Sequence, residues 1–208
     1  EWAGIMLDFE YLMPEDRDAF SDFVRALKAQ LASEKQQLLL ALPPKTCRGQ
    51  TGLLCEAHDF RVLGRNADLC VLKNASIALG APSALADIGR MNETVRYAVS
   101  EIPAKKLLCS LPAGGLQWAL PWHQGQRARP LAGAQAAELA VQVGAPVRYD
   151  EAAQAPHYNF WRGGTEQEVW FEDARSYRAK CALAAEYRLG GVAVPEAAQW
   201  YSQLWGIL

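Results

Sequence analysis

The hydrophobic positions of this chain change period from segment to segment, and the changes mark out its elements. From Gly4 to Glu10, Ile5, Leu7 and Phe9 alternate with Gly4, Met6, Asp8 and Glu10. Strand side chains alternate between faces. One face is therefore apolar, and the other carries two carboxylates at its C-terminal end. The apolar content predicts a buried parallel strand. From Pro14 to Lys35 the period becomes helical, with Phe20, Phe23, Val24, Leu27 and Leu31 on one stripe and charges on the other. Pro14 suits a first helical turn, and Glu15 and Asp16 suit its positive end. Gln37 to Leu42 is a short apolar run stopped by Pro43–Pro44, and it reads as a buried strand. Lys45 to Ala57 reads as a loop. Leu69 to Leu72 is the next strand, Ile88 to Ser100 the next helix, and Leu107 to Leu111 a strand ending at Pro112. Strand–helix–strand alternation of this kind predicts parallel pairing.

Beyond Pro112 the rhythm breaks. Ala113 to Arg129 reads as a long loop carrying Trp118 and Trp122. Ala132 to Val143 is an alanine-rich helix ending at Gly144, and Val147 to Tyr149 a short strand. His157–Phe160 and Glu168–Phe171 flank Arg162-Gly163-Gly164-Thr165, a hairpin signal. Ala174 to Tyr187 is a helix whose N-cap is Asp173, three residues before Ser176. Gly191 to Val194 is the last strand, and Glu196 to Trp205 a terminal helix. The pattern divides into 1–128 with four strands and their helices, 129–172 as a small α+β insertion, and 173–208 with the last helix and strand. The core strands then form an open sheet, whose two edges need covering.

At 208 residues, half of them hydrophobic, the chain has material for one sizeable core. The net charge of −2 excludes a basic field for nucleic acid. No apolar run approaches the roughly 20 residues of a membrane span. The five cysteines show no close metal-type spacing, and no metal or cofactor is expected. Cys70, Cys109 and Cys181 sit in apolar segments as small core residues. Cys47 and Cys55 share one loop, close enough in sequence to pair or to stay free.

The chemistry concentrates at Asp8 and Glu10. Gly4-Ile5-Met6-Leu7-Asp8-Phe9-Glu10 resembles the signature strand of glycoside hydrolase family 18, the chitinase-like family. That signature reads Asp-Gly-apolar-Asp-apolar-Asp-x-Glu. Its last two acids are present here, and Ala3 and Met6 replace its first two. Further runs occur in the order found in one branch of that family, the bacterial spore cortex-lytic and germination-type peptidoglycan glucosaminidases. They are Ala57-His58-Asp59-Phe60 with Ala67-Asp68, Ala98 to Pro103, Val169 to Ser176, and Leu189 to Val192. The resemblance covers Glu1 to about Val194.

The resemblance implies an α/β fold, a TIM (β/α)8 barrel. The chain would supply part of it, about five strands, the fourth to the eighth, with the α+β insertion before the last. It implies a chain that begins at the fourth strand, with an N-terminal half or another copy covering the open edges. It implies hydrolysis of β-linked N-acetylglucosamine polymers, peptidoglycan or chitin, in a spore, cell-envelope or secreted setting. Glu10 would be the acid that protonates the leaving oxygen. The substrate's own acetamido oxygen would attack the anomeric carbon, oriented by Asp8. Substrate contacts are expected from Trp118, Tyr11, Tyr158 and Trp122. Departures from the family pattern point to an alternative, a chitinase-like carbohydrate-binding protein weak or inactive in catalysis. Ala75 stands where the family keeps a Tyr, and Pro195 where it keeps a Trp. The segment Ala113 to Trp118 keeps only one Gly and the Trp of a longer motif.

Overall fold

The computed structural model describes residues 2–73, 81–194 and 206. Two compact units emerge: 1–73 with 92–110 and 184–193, and 74–91 with 111–183 and 194–208. The expected terminal helix at Glu196–Trp205, and the expectations attached to Ala75 and Pro195, lie outside the described residues.

The first unit is built on a five-stranded parallel sheet in the order β1-β2-β3-β4-β10. Its strands are β1 (Gly4–Leu7), β2 (Gln37–Leu42), β3 (Leu69–Leu72), β4 (Leu107–Ser110) and β10 (Gly191–Ala193). Helices α1 (Arg17–Ser33), α2 (Phe60–Asn66) and α3 (Ile88–Glu101) connect the first four. This is the strand–helix alternation of a (β/α)8 barrel wall. The core lies where the inner strands meet the helices: Leu38, Leu40, Leu42, Leu72, Leu63 and Val24 are all buried. On α1, Phe20, Val24 and Leu31 are buried, while Phe23 is 46 % exposed. A short 3-10 turn, Pro14–Asp16, leads into it.

Helix α2 was not anticipated in the residue pattern. Seven residues make fewer than two turns, too few to show a period. A cap holds it: Val62 N–H donates to the Asp59 carboxylate at 3.1 Å. Strand β1 also differs from expectation. Among the described residues it is an edge strand bonded to β2 alone, and Ile5 and Met6 are 38 % and 51 % exposed. Glycine at position 4 is required by close approach, because a Cβ there would sit 2.2 Å from the Gln37 carbonyl oxygen on β2.

The second unit is an antiparallel sheet ordered β6-β5-β9-β8-β7. Its strands are β5 (Gly115–Leu120), β6 (Arg129–Leu131), β7 (Arg148–Asp150), β8 (Ala155–Arg162) and β9 (Thr165–Phe171). Helix α4 (Gly133–Val143) packs Ala136, Leu139 and Ala140 on Tyr158, Phe160, Val169 and Phe171. The sheet starts at Gly115, so this α+β block is larger than the expected 129–172, and the expected loop Ala113–Arg129 contains β5. The hairpin lies where Gly163-Gly164 predicts, with φ of +59° and +77° at those residues. Helix α5 (Ala174–Glu186) follows, and Asp173 caps it by accepting from the N–H groups of Arg175 and Ser176.

Candidate active site

Parallel strands end on one edge of their sheet, and side chains just past those ends gather there. In the first unit, Asp8 and Glu10 follow β1 and Lys73 follows β3, with β2 between them in the sheet. Lys73 reaches across the end of β2. Its Nζ donates to Asp8 Oδ1 and Oδ2 at 3.0 and 3.1 Å, and to Glu10 Oε1. The two acids thus project to the same side, as period-two spacing requires, and converge on one ammonium. They stay open to solvent, with side chains 46 % and 42 % exposed, against 27 % for Lys73. Burial pulls the Lys73 pKa down. The hydrogen bonds and charges of Glu10 and Asp8 outweigh that and hold it above the ordinary lysine value.

Tyr11, one residue beyond Glu10, has a φ of +58° and is 63 % exposed. A non-glycine residue there is strained, and such strain concentrates at functional sites. Beneath the segment lies His58, 1 % exposed, with its ring centroid 5.5 Å from that of Phe20. Phe20 in turn meets Phe9 edge-on at 5.5 Å. Burial pushes the His58 pKa down to about 4; the Phe9 backbone and the Asp8 carboxylate oppose the shift, and Lys45 and Lys73 add to it. The buried Lys45 ammonium donates to the Cys55 and His58 carbonyls at 3.2 and 3.1 Å. That fixes the loop carrying His58.

Trp118, Trp122 and Tyr158 belong to the second unit. Trp118 lies in β5, 1 % exposed, and its indole N–H has no partner among the described residues. Tyr158 on β8 is also 1 % exposed, and its hydroxyl donates to the Ala136 carbonyl at 2.7 Å. A stacking platform must present a ring face, so the expectation of sugar contact is corrected for both: they are core residues. Trp122 is half-buried. Trp161, by contrast, is 72 % exposed on β8. Lys73 is the site residue the sequence reading passed over. Its signal was a single cation directly after the apolar run Leu69–Leu72, at the C-terminal end of a strand.

Cys47, Cys55, Cys70 and Cys181 are free thiols. Among the described residues no three His, Cys, Asp or Glu side chains gather to hold a metal ion. Nor is any described helix long and apolar enough to cross a membrane.

Comparison with known proteins gives a consistent result. The family model of the glycosyl hydrolases family 18 matches residues 2–199. The cortical fragment-lytic enzyme of Bacillus cereus is 36 % identical over 208 residues, 98 % of this chain and 48 % of that protein. The crystal structure of the Bacillus cereus spore cortex-lytic enzyme SleL superposes with a TM-score of 0.93 at 36 % identity, covering 99 % of this chain and 48 % of that one. A chitinase from Chromobacterium violaceum superposes with a TM-score of 0.91 at 27 % identity, covering 99 % of this chain and 64 % of that one. The chain thus spans about half the length of the curated relatives it matches.

Proposed function

This chain belongs to the glycosyl hydrolases family 18, and from that premise we propose that it hydrolyses β-linked N-acetylglucosamine polymers, peptidoglycan of the spore cortex foremost and chitin as the alternative polymer. The observation that carries the reading is the convergence of Asp8 and Glu10 on one side of the sheet end, both exposed to incoming substrate. Glu10, the outer of the two, delivers a proton to the leaving glycosidic oxygen. The substrate's acetamido oxygen closes on the anomeric carbon as that bond breaks, and Asp8 orients and stabilises the acetamido group. Water then opens the resulting ring with Glu10 as base, so the anomeric configuration is retained. Tyr11, solvent-facing and one residue from the acid, is the sugar contact this unit offers. Trp122 is the remaining candidate in the other unit. The free edge of β1 is suited to cover by an upstream barrel half or a second copy.

The test is release of chromophore from a chromogenic N-acetylglucosamine oligomer. Glu10→Gln removes the transferable proton and keeps the shape. A fall of about 10² or more in kcat is expected, with little change in KM. Asp8→Asn is expected to slow turnover by a similar order. Release that is unchanged in Glu10→Gln, or absent from the unmodified chain, overturns the reading.

A further inference from the structure

Lys73 is placed where a glycosidase acid can least use a cation. A general acid has to bring a proton to the glycosidic oxygen, and an ammonium N–H already occupies Glu10 Oε1. The ammonium meets three carboxylate oxygens of the acid pair: both of Asp8 and one of Glu10. Such a cluster differs from an ordinary surface ion pair, which joins one cation to one anion and contributes about 0–1 kcal/mol. Here two carboxylates of one segment close on a side chain from another strand, across the strand between them. Among the described residues, His58 in the loop before α2 interacts electrostatically with Asp8 and Lys73, Lys45 after β2 with His58, and Tyr11 lies one residue beyond Glu10. His58 is held neutral by burial, and Lys45 is turned away onto two backbone carbonyls. Neither takes over the role of counter-ion to the acid pair.

We propose that Lys73 is the positioning residue of the acid pair: it latches Asp8 and Glu10 into an ion triad in the unliganded chain, and proton transfer from Glu10 requires Lys73 to leave that carboxylate. The grip is asymmetric. Asp8 is held through both oxygens and Glu10 through one, and proton delivery from Glu10 requires that single contact to open. Glu10, once released, faces the glycosidic oxygen. The catalytic half of this inference rests on the glycosidase reading above; the triad itself does not.

Two measurements on the full chain separate them. The first is reductive methylation with formaldehyde and cyanoborohydride, followed at Lys73 by mass spectrometry. Lys73 is expected to label several-fold more slowly than the exposed lysines, and Glu10→Gln and Asp8→Asn are each expected to speed it several-fold. Labelling that is equal in the wild-type chain and both variants overturns the triad, whatever the activity. The second is the pH–rate profile on the chromogenic oligomer. Lys73→Met, a neutral unbranched side chain one atom shorter, is expected to carry the alkaline limb upward and to raise the rate at pH 7 several-fold, with KM moving far less. Lys73→Arg keeps the charge and is expected to keep the wild-type limb. A merely structural role would lower the rate equally at every pH and leave the limb in place. A Lys73→Met limb superimposed on the wild type, with turnover present, overturns the latch and leaves the glycosidase reading standing. Slow Lys73 labelling with no turnover from either protein at any pH overturns the glycosidase reading and the positioning role together.

Discussion

His58 is 1 % exposed against Phe20, and its folded pKa of about 4 lies well below the unperturbed 6.5. Between those values the unfolded chain binds a proton that the folded chain refuses. The neutral imidazole therefore contributes stability that is complete above pH 6.5 and is lost as pH falls toward 4. Between pH 7 and 4.5 the loss is roughly 2–3 kcal/mol. Urea unfolding across that window is expected to show the slope in the wild-type chain and a shallower one in His58→Leu; equal slopes would remove His58 as the cause. Asp68 works in a separate window. Burial raises its pKa, but the hydrogen bonds from Lys28 and the Leu38 N–H prevail and hold it below the usual carboxylate value. Its contribution is present above about pH 4 and fades only as pH falls through the depressed value. The same residue scale shows what the sequence concealed. Two-residue spacing made Asp8 and Glu10 legible as a pair. Nothing local distinguishes a Trp whose ring faces solvent from one facing a core, so Trp118 was expected at the sugar although it is 1 % exposed, while Trp161 is 72 % exposed.

Elements were legible where length and period were both sufficient. Every strand of the parallel sheet was readable, β1 from its alternation and the others because a short apolar run has few other uses between helices. The helix α2 and the strand β5 were not. The first is too short for a period, and the second, Gly115-Leu116-Gln117-Trp118-Ala119-Leu120, opens on the second of two glycines and precedes a proline, the composition of a loop. Its strand character comes from pairing with β9 along its full length, a long-range fact. The junction after β9 is held by an equally non-local contact. Glu172, just past the strand, accepts from Lys180 Nζ on α5 at 2.7 Å, with both side chains 0 % exposed. Burial pushes the Glu172 pKa up, opposed by the Lys180 charge and hydrogen bond. Cutting such a pair strands the surviving charge in a low-dielectric setting. Lys180→Met alone is expected to cost roughly 3–5 kcal/mol of unfolding free energy, and the double change with Glu172→Leu to recover much of it. Urea midpoints of the two variants measure both. A single variant as stable as wild type would show the pair to be solvated.

At the scale of the whole chain, the sheet edge at β1 sets the last expectation. Parallel sheets are ordinarily covered on both faces and protected at their ends. Among the described residues the backbone of Gly4–Leu7 is bonded to β2 alone, and Trp2, Ile5 and Met6 beside it are 86 %, 38 % and 51 % exposed. An edge with unpaired N–H and C=O groups and apolar flanks is a template for another strand. The chain is therefore expected to associate with itself across the micromolar to millimolar range, read as a rising mean mass in sedimentation. Ile5→Lys places a charge on the edge, the device by which natural edge strands stay solitary. It is expected to shift the population to monomer with the far-UV circular dichroism unchanged. Because Ile5 and the acids alternate along one segment, its side chain points away from Lys73, so the substitution leaves the Asp8–Glu10–Lys73 cluster in place. Association would then fall while Lys73 keeps its slow labelling. A wild-type chain that stays monomeric at the highest concentration would show the β1 edge to be protected by its own backbone and solvent alone.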